Sequence, residues 1–389
     1  MNAFTLLFLA FLVSWVGMSL WLSWRQERHV LRHRQRVPAE FASRISLEEH
    51  TRAADYTIAR TRFGRVELIT AVLLLLIWTI GGGLDAIDRY LSGLELPGLL
   101  SGTAIIASVF LLSAIIDIPS ALYRTFVIEE RFGFNRSTAA TFWLDRLKGV
   151  ILAALLGLPL LLLLLWFIEA AGPAWWLYAW AVVSLFSIAL NWAFPKFIAP
   201  LFNSFEVLEE GEVADRLQAL LRRTGFRSDG IYVMDGSRRS SHGNAYFTGF
   251  GKTKRIVFFD TLLKQLTPVQ VEAVLAHELG HFRRRHVLKG MLLSLAMSFM
   301  GFALLAWLMQ QQWFYAGLGV SEASGYMALL LFVIVAPVFT FFMGPLMALY
   351  SRKHEFEADA FAAEHADAGS LVAALVNLYR KNASTLTPD

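Results

Sequence analysis

Seven stretches of this chain are almost entirely apolar: Phe4–Trp24, Val66–Ala86, Ser101–Tyr123, Val150–Ala170, Trp175–Pro195, Val287–Met309 and Tyr326–Tyr350. A helix rises about 1.5 Å per residue, so about 20 such residues cross the roughly 30 Å hydrocarbon core of a bilayer. The pattern predicts seven transmembrane helices. The second is interrupted late by Gly81-Gly82-Gly83, and a tight turn over Ala171–Ala174 joins the fourth to the fifth.

The polar segments set the orientation. Arg25–Arg36 follows the first apolar stretch at once, which reverses the charge order of a signal peptide, so the first span reads as a retained helix with its N-terminus outside. Residues 25–65 carry ten arginines and predict helix docked on lipid headgroups. Residues 124–149 are basic again, with Arg131, Arg136 and Arg146, whereas the loops after spans two, four and six have almost no basic residues. The positive-inside rule then places 25–65, 124–149, 196–286 and 351–389 on the cytoplasmic face.

The chain divides accordingly into spans one to five with their loops (1–195), a polar insert (196–286), spans six and seven (287–350) and a C-terminal polar segment (351–389). In the insert, Val213, Leu217, Leu220 and Leu221 give Val207–Thr224 the apolar stripe of an amphipathic helix. Ile231–Met234 reads as a short strand, and Ala245–Phe250 with Arg255–Phe259 as a hairpin around Gly251–Lys254. A further helix should start at Thr267, an N-cap residue, with Pro268 at the first helical position and Gln270 completing a capping box.

Composition agrees with a membrane protein that also has one compact polar region. Hydrophobic residues make up 56% of the 389, mean hydropathy is +0.51, and charged residues are 17%, against about a quarter in soluble domains. There is no cysteine, which excludes a thiol nucleophile, disulfides and a thiolate metal site. The net charge of +4 sits beside apolar runs and not in an aromatic-interleaved stripe, so nucleic acid is not an expected partner.

The helix beginning at Thr267 carries His277-Glu278-Leu279-Gly280-His281. Its two histidines lie four apart on one face, the spacing at which two imidazoles hold one side of a tetrahedral Zn²⁺, and Glu278 beside them suits a general base toward water. This is the chemistry of metal-assisted peptide hydrolysis. The motif needs a third ligand, and Ser351–Phe361, just after the last span, is dense in candidates: His354, Glu355, Glu357 and Asp359.

Together with Ser351-Arg352, Glu355, Ala358-Asp359, the run Gly236–Phe247 and the run Arg255–Leu262, the motif makes the chain resemble the integral-membrane zinc metalloproteases of the CAAX prenyl protease 1 (Ste24) type, peptidase family M48. The resemblance covers nearly the whole chain. It implies a mainly α fold, a seven-span transmembrane α-helical barrel around a chamber, with a small cytoplasmic α+β metalloprotease domain. It implies one Zn²⁺ on His277, His281 and Glu355, Glu278 as general base, and Asp359 as the acceptor that holds a ligand imidazole. Glu357 then falls on another helix face from Glu355, and His354 and His286 read as surface residues. Asn244 and His242 would contact an extended substrate along the strand that follows them.

The implied substrates are peptides or proteins, either prenylated at a C-terminal Cys-containing peptide or inserted in the membrane, and the implied location is multi-pass in the lipid bilayer with the site facing the cytoplasm, in the inner membrane if the source is bacterial. The family pattern continues with a His and an Arg that assist the oxyanion and the substrate carboxylate. The sequence given ends at Asp389, and the resemblance carries those two roles onto no residue of it. Two other classes compete. A catalytically silent chaperone or scaffold would keep the zinc for structure, and a transporter would need its ionisable cluster at mid-membrane instead of at the interface.

Overall fold

The computed structural model describes residues 2–226, 228–248 and 255–389. The chain opens with α1 (Ala3–His33) and α2 (Leu47–Trp78), each started by a full capping box, Asn2 with Thr5 and Ser46 with Glu49. α1 runs from apolar into polar sequence and α2 from polar into apolar sequence, each without a break. The expected second span does break: α2 ends at Trp78, Gly82 takes a left-handed φ of 76°, and α3 (Gly83–Ser92) leaves at 51° to α2. Glycine is the residue that adopts this φ without strain.

Then come α4 (Gly98–Tyr123), α5 (Ala139–Ala170), α6 (Trp175–Ala193) and the short α7 (Ala199–Phe202). Wider turns at Arg124–Glu129 and Phe194–Ile198 relax the ends of α4 and α6. Each lies near or at a proline, Pro119 or Pro195, whose missing N–H disrupts the regular ladder.

The insert contains β1 (Phe205–Val207), α8 (Glu212–Thr224), β2 (Ile231–Met234), β3 (Ala245–Thr248), β4 (Arg255–Phe259), α9 (Asp260–Gln265) and α10 (Pro268–Arg283). The amphipathic helix starts at Glu212 and not at Val207, because Val207 belongs to a strand and pairs with Tyr232. Three residues are too few for a period of two to be seen. The sheet order is β1-β2-β4-β3, with β2 parallel to β4 and the other pairs antiparallel, so β3 lies at an edge. The predicted hairpin pairs Ala245 with Phe258 and Phe247 with Ile256, while its turn at Gly251–Lys254 and its residues 249–250 lie outside the described residues.

The chain closes with α11 (His286–Leu308), α12 (Gln312–Gly317), α13 (Gly325–Thr340), α14 (Gly344–His365) and α15 (Ala368–Lys381). The expected seventh span ends at Tyr350, but α13 and α14 together form a helical rod over Gly325–His365 with one tighter turn at Phe341–Met343. The rod carries Glu355 and Asp359 beyond the apolar sequence. Among the described residues, six helices are long and apolar enough to cross a membrane, or seven if α2 and α3 form one bent span.

Two cores hold these parts. Phe8 and Leu12 of α1, Trp78, Ile105 and Val109 of α4, Leu165, Ala179, Leu305 and Leu331 pack into one apolar cluster where the spans converge. Past Val109, Phe110, Leu111 and Leu112 of α4 are 47%, 52% and 41% exposed, while Ser113 still meets the neighbouring span, its Oγ accepting from Trp78 Nε1 at 3.1 Å. The second core joins Leu217 and Leu220 of α8, Ile256 and Phe258 of β4, Val271 and Leu275 of α10, and Leu371 and Ala374 of α15. Arg239 ties this domain to the base of α5, with Nε and Nη2 donating to Asp145 at 2.7 and 2.9 Å and Nη1 donating to Asn203 at 2.8 Å.

The capping box at the start of α10 forms as expected: the Thr267 side chain accepts from Gln270 N, and the Gln270 side chain accepts from Thr267 N. Gln270 Oε1 also accepts from Asn377 of α15. Thr267→Ala should therefore lower the melting stability of the detergent-solubilised protein by about 1 kcal/mol. An unchanged melting curve would show that α10 is held by packing alone.

Candidate active site

Helix α10 delivers His277 and His281 one turn apart, with Val271, Ala273, Leu275 and Leu279 buried behind them. Helix α14 crosses it closely. A Cβ on Gly280 would lie 2.8 Å from Ala358 Cα and 2.9 Å from Ala358 O, so these backbones meet only because residue 280 has no side chain. That contact sets the register of α14, which presents Glu355 and Asp359, one turn apart, to the two ring nitrogens of His277.

Asp359 Oδ1 accepts from His277 Nδ1 at 2.8 Å, which leaves the Nε2 lone pair of His277 free. His281 Nε2 lies 3.2 Å from His277 Nε2, and Glu355 Oε2 lies 3.5 Å from His277 Nε2 and 3.7 Å from His281 Nε2. Three electron-pair donors thus converge on one point, where their mutual repulsion calls for a positive charge. Their separations match the edges of about 3.3 Å expected for a tetrahedron of ligands about 2.0–2.1 Å from a zinc ion. The donor set of two imidazoles and one carboxylate fits zinc, and three protein ligands leave a position open.

Burial and the nearby His277 and His286 rings lower the proton affinity of His281, which favours the neutral form a metal needs. Glu278 lies beside the cluster. Burial, reinforced by the charge of Glu355, pushes its carboxyl above the usual range, while His277 pulls it back. A carboxylate raised toward neutrality is suited to both taking and returning a proton.

The two residues expected to contact substrate lie just before β3. Asn244 is exposed just before edge strand β3, its Oδ1 accepts from Ala245 N at 2.9 Å, and its carbonyl accepts from Phe259 N at 2.9 Å. His242 stacks on Phe134 with ring centroids 4.4 Å apart, and its Nε2 is 3.5 Å from Glu129 Oε2. Both partners belong to the segment between α4 and α5. The reading of His286 as a surface residue is corrected: it is 6% exposed and sits against His281. It is the first residue of α11, and hydropathy cannot distinguish a buried polar residue there from a snorkelling one. Glu357 indeed leaves the Glu355 face, and it meets His286 instead, 3.0 Å from Nε2.

A His-Glu-x-x-His helix met by a carboxylate-bearing helix that continues from a membrane span defines a metallopeptidase embedded in the bilayer. Comparisons with known proteins agree. A family profile described as "CAAX prenyl protease N-terminal, five membrane helices" matches residues 26–204, and one for peptidase family M48 matches 207–386. The rice CAAX prenyl protease 1 homolog is 32% identical over 365 residues, spanning 91% of this chain and 85% of its own length. CAAX prenyl protease 1 of Saccharomyces cerevisiae is 36% identical over 294 residues, covering 72% of this chain and 65% of its own. The crystal structure of S. mikatae Ste24p superposes with a TM-score of 0.91 at 30% identity, covering 100% of this chain and 94% of that one. The chain belongs to peptidase family M48, in its CAAX prenyl protease 1 branch, and is a membrane metalloprotease.

Proposed function

We propose that the protein is a zinc-dependent endopeptidase working at the cytoplasmic face of its membrane on peptides that are prenylated at a C-terminal Cys-containing sequence or inserted in the membrane. The observation that carries the metal reading is the pair of facing Nε2 atoms 3.2 Å apart, with Asp359 claiming the other nitrogen of His277. Zinc held by His277, His281 and Glu355 would polarise the scissile carbonyl and acidify water at neutral pH.

The chain's own residues do the rest. Glu278 accepts a proton from the attacking water and passes it to the leaving amine. Asp359 holds the His277 ring in the tautomer that points Nε2 at the site. The edge position of β3 supports an extended substrate lying along it, with Asn244 at its entry and His242 holding the preceding loop against Glu129 and Phe134. The superposition on Ste24p supports a barrel formed by the membrane half (1–195, 287–350), with the cytoplasmic parts (196–286, 351–389) carrying the site at its end. The names of the relatives support the prenylated class of substrate.

The test is metal analysis and peptide cleavage by the purified protein in detergent, with a chelator control. Near-stoichiometric zinc and cleavage abolished by the chelator and restored by zinc are expected. Cleavage that persists after complete zinc removal overturns the reading. Bound zinc without turnover of either a prenylated peptide or a membrane-inserted substrate supports a silent scaffold instead.

A further inference from the structure

Two side chains stand behind the site and take no part in that mechanism. His286 begins α11, and Glu357 lies on α14 two residues beyond Glu355. His286 Nδ1 is 3.0 Å from His281 Nδ1, and His286 Nε2 is 3.0 Å from Glu357 Oε2.

We propose that Glu357 and His286 form an ordered hydrogen-bond relay that orients the His281 ring and so sets the affinity of the protein for zinc. This rests on the zinc reading above. The proton order follows from the acceptor at its end. An ionised carboxylate only accepts, so His286 carries its proton on Nε2. The neutral ring then has a lone pair on Nδ1, the hydrogen bond to His281 must use the Nδ1–H of His281, and Nε2 of His281 is left as a lone pair toward His277. The reverse order would put the proton of His281 on Nε2, leaving no lone pair there to face His277.

The relay is also held sterically. The His354 ring stacks on His286 with centroids 3.9 Å apart and planes within 8°, and Tyr350 packs edge-on against His354 at 4.3 Å. Both proposed histidine ligands are thus backed by carboxylates of the same helix: His277 directly by Asp359, and His281 by Glu357 through His286. Partners of this kind fix the tautomer and ring direction of a metal-ligating imidazole, and their loss typically costs 10–100-fold in metal affinity.

The experiment measures the zinc dissociation constant of the whole protein in detergent by competition with a chelator, alongside melting of the metal-free protein, with Asp359→Asn as benchmark. His286→Ala should bind zinc about 10–100-fold more weakly, as should Asp359→Asn, and Glu357→Gln should weaken it in the same direction but less. The double variant should be no weaker than His286→Ala alone, because two members of one relay do not contribute additively. His286→Gln, whose amide oxygen can accept from His281 Nδ1, should recover part of the loss. A purely packing role for His286 would lower melting of the metal-free protein and leave zinc affinity of the folded fraction unchanged.

Zinc affinities within about twofold of wild type in both single variants, or additive losses in the double, overturn the relay. If His286→Ala does not fold, Glu357→Gln decides, since that side chain is 27% exposed and its replacement keeps the shape. A wild type that takes up no zinc overturns the zinc reading itself. Tight wild-type binding with unaffected variants overturns only the relay.

Discussion

Glu278→Gln should take up zinc as the wild type does and lose cleavage by about 10²–10⁴-fold in kcat, the usual contribution of a positioned general acid–base. Glutamine keeps the size and hydrogen-bonding reach of the side chain but cannot take a proton. His277, His281 and Glu355 are untouched, so metal content separates loss of chemistry from loss of the site. Glu278 is partly buried and close enough to His277 and Glu355 to feel the charge of both, which suits a group that serves the water and the leaving amine in turn. Cleavage at the wild-type rate in this variant would assign the proton transfer to another residue. Loss of zinc along with cleavage would make Glu278 a determinant of the site's assembly instead.

Gly280→Ala should damage the site through a single methyl group. The added carbon would meet Ala358 Cα at 2.8 Å, its carbonyl oxygen at 2.9 Å and Phe361 Cβ at 3.1 Å. Two of these are backbone atoms and cannot rotate away, so α10 and α14 must move apart. Overpacking of this kind costs about 1–3 kcal/mol in stability. The larger effect falls on function, since Glu355 and Asp359 would be carried away from His277, and a displacement of about 1 Å in a reacting constellation can cost about 10²-fold. The expected result is a folded protein with weakened zinc affinity and cleavage reduced by about that factor. A variant that melts, binds zinc and cleaves as the wild type does would show that α14 is positioned by other contacts.

These two residues illustrate how unevenly the site can be read. Glu278 is legible from local sequence, because a helix opened by Thr267, Pro268 and Gln270 fixes where every following side chain points. Gly280 stands in the same run with no local signal of its own. Its reason is the backbone of Ala358, far along the chain, and no local pattern reports that approach. The expectation that His286 is a surface residue fails for the same reason: the polar side chain begins an apolar helix, and only packing against His281 and Glu357 shows it buried.

By itself the sequence determined the membrane class, the existence of the long apolar spans, the polar insert with its hairpin, and the pairing of His277 with His281. All of these depend on interactions within about 20 residues, where apolar length, capping and the helical repeat act directly. Tertiary structure alone decided the short β1, the rod that carries α13 into α14, and which carboxylates meet which histidines. Those depend on how distant helices approach one another. The spacing of Glu355, Glu357 and Asp359 along α14 offers several faces to the site, and the contact of Gly280 with Ala358 selects among them: Glu355 and Asp359 turn to His277, and Glu357 turns away to His286.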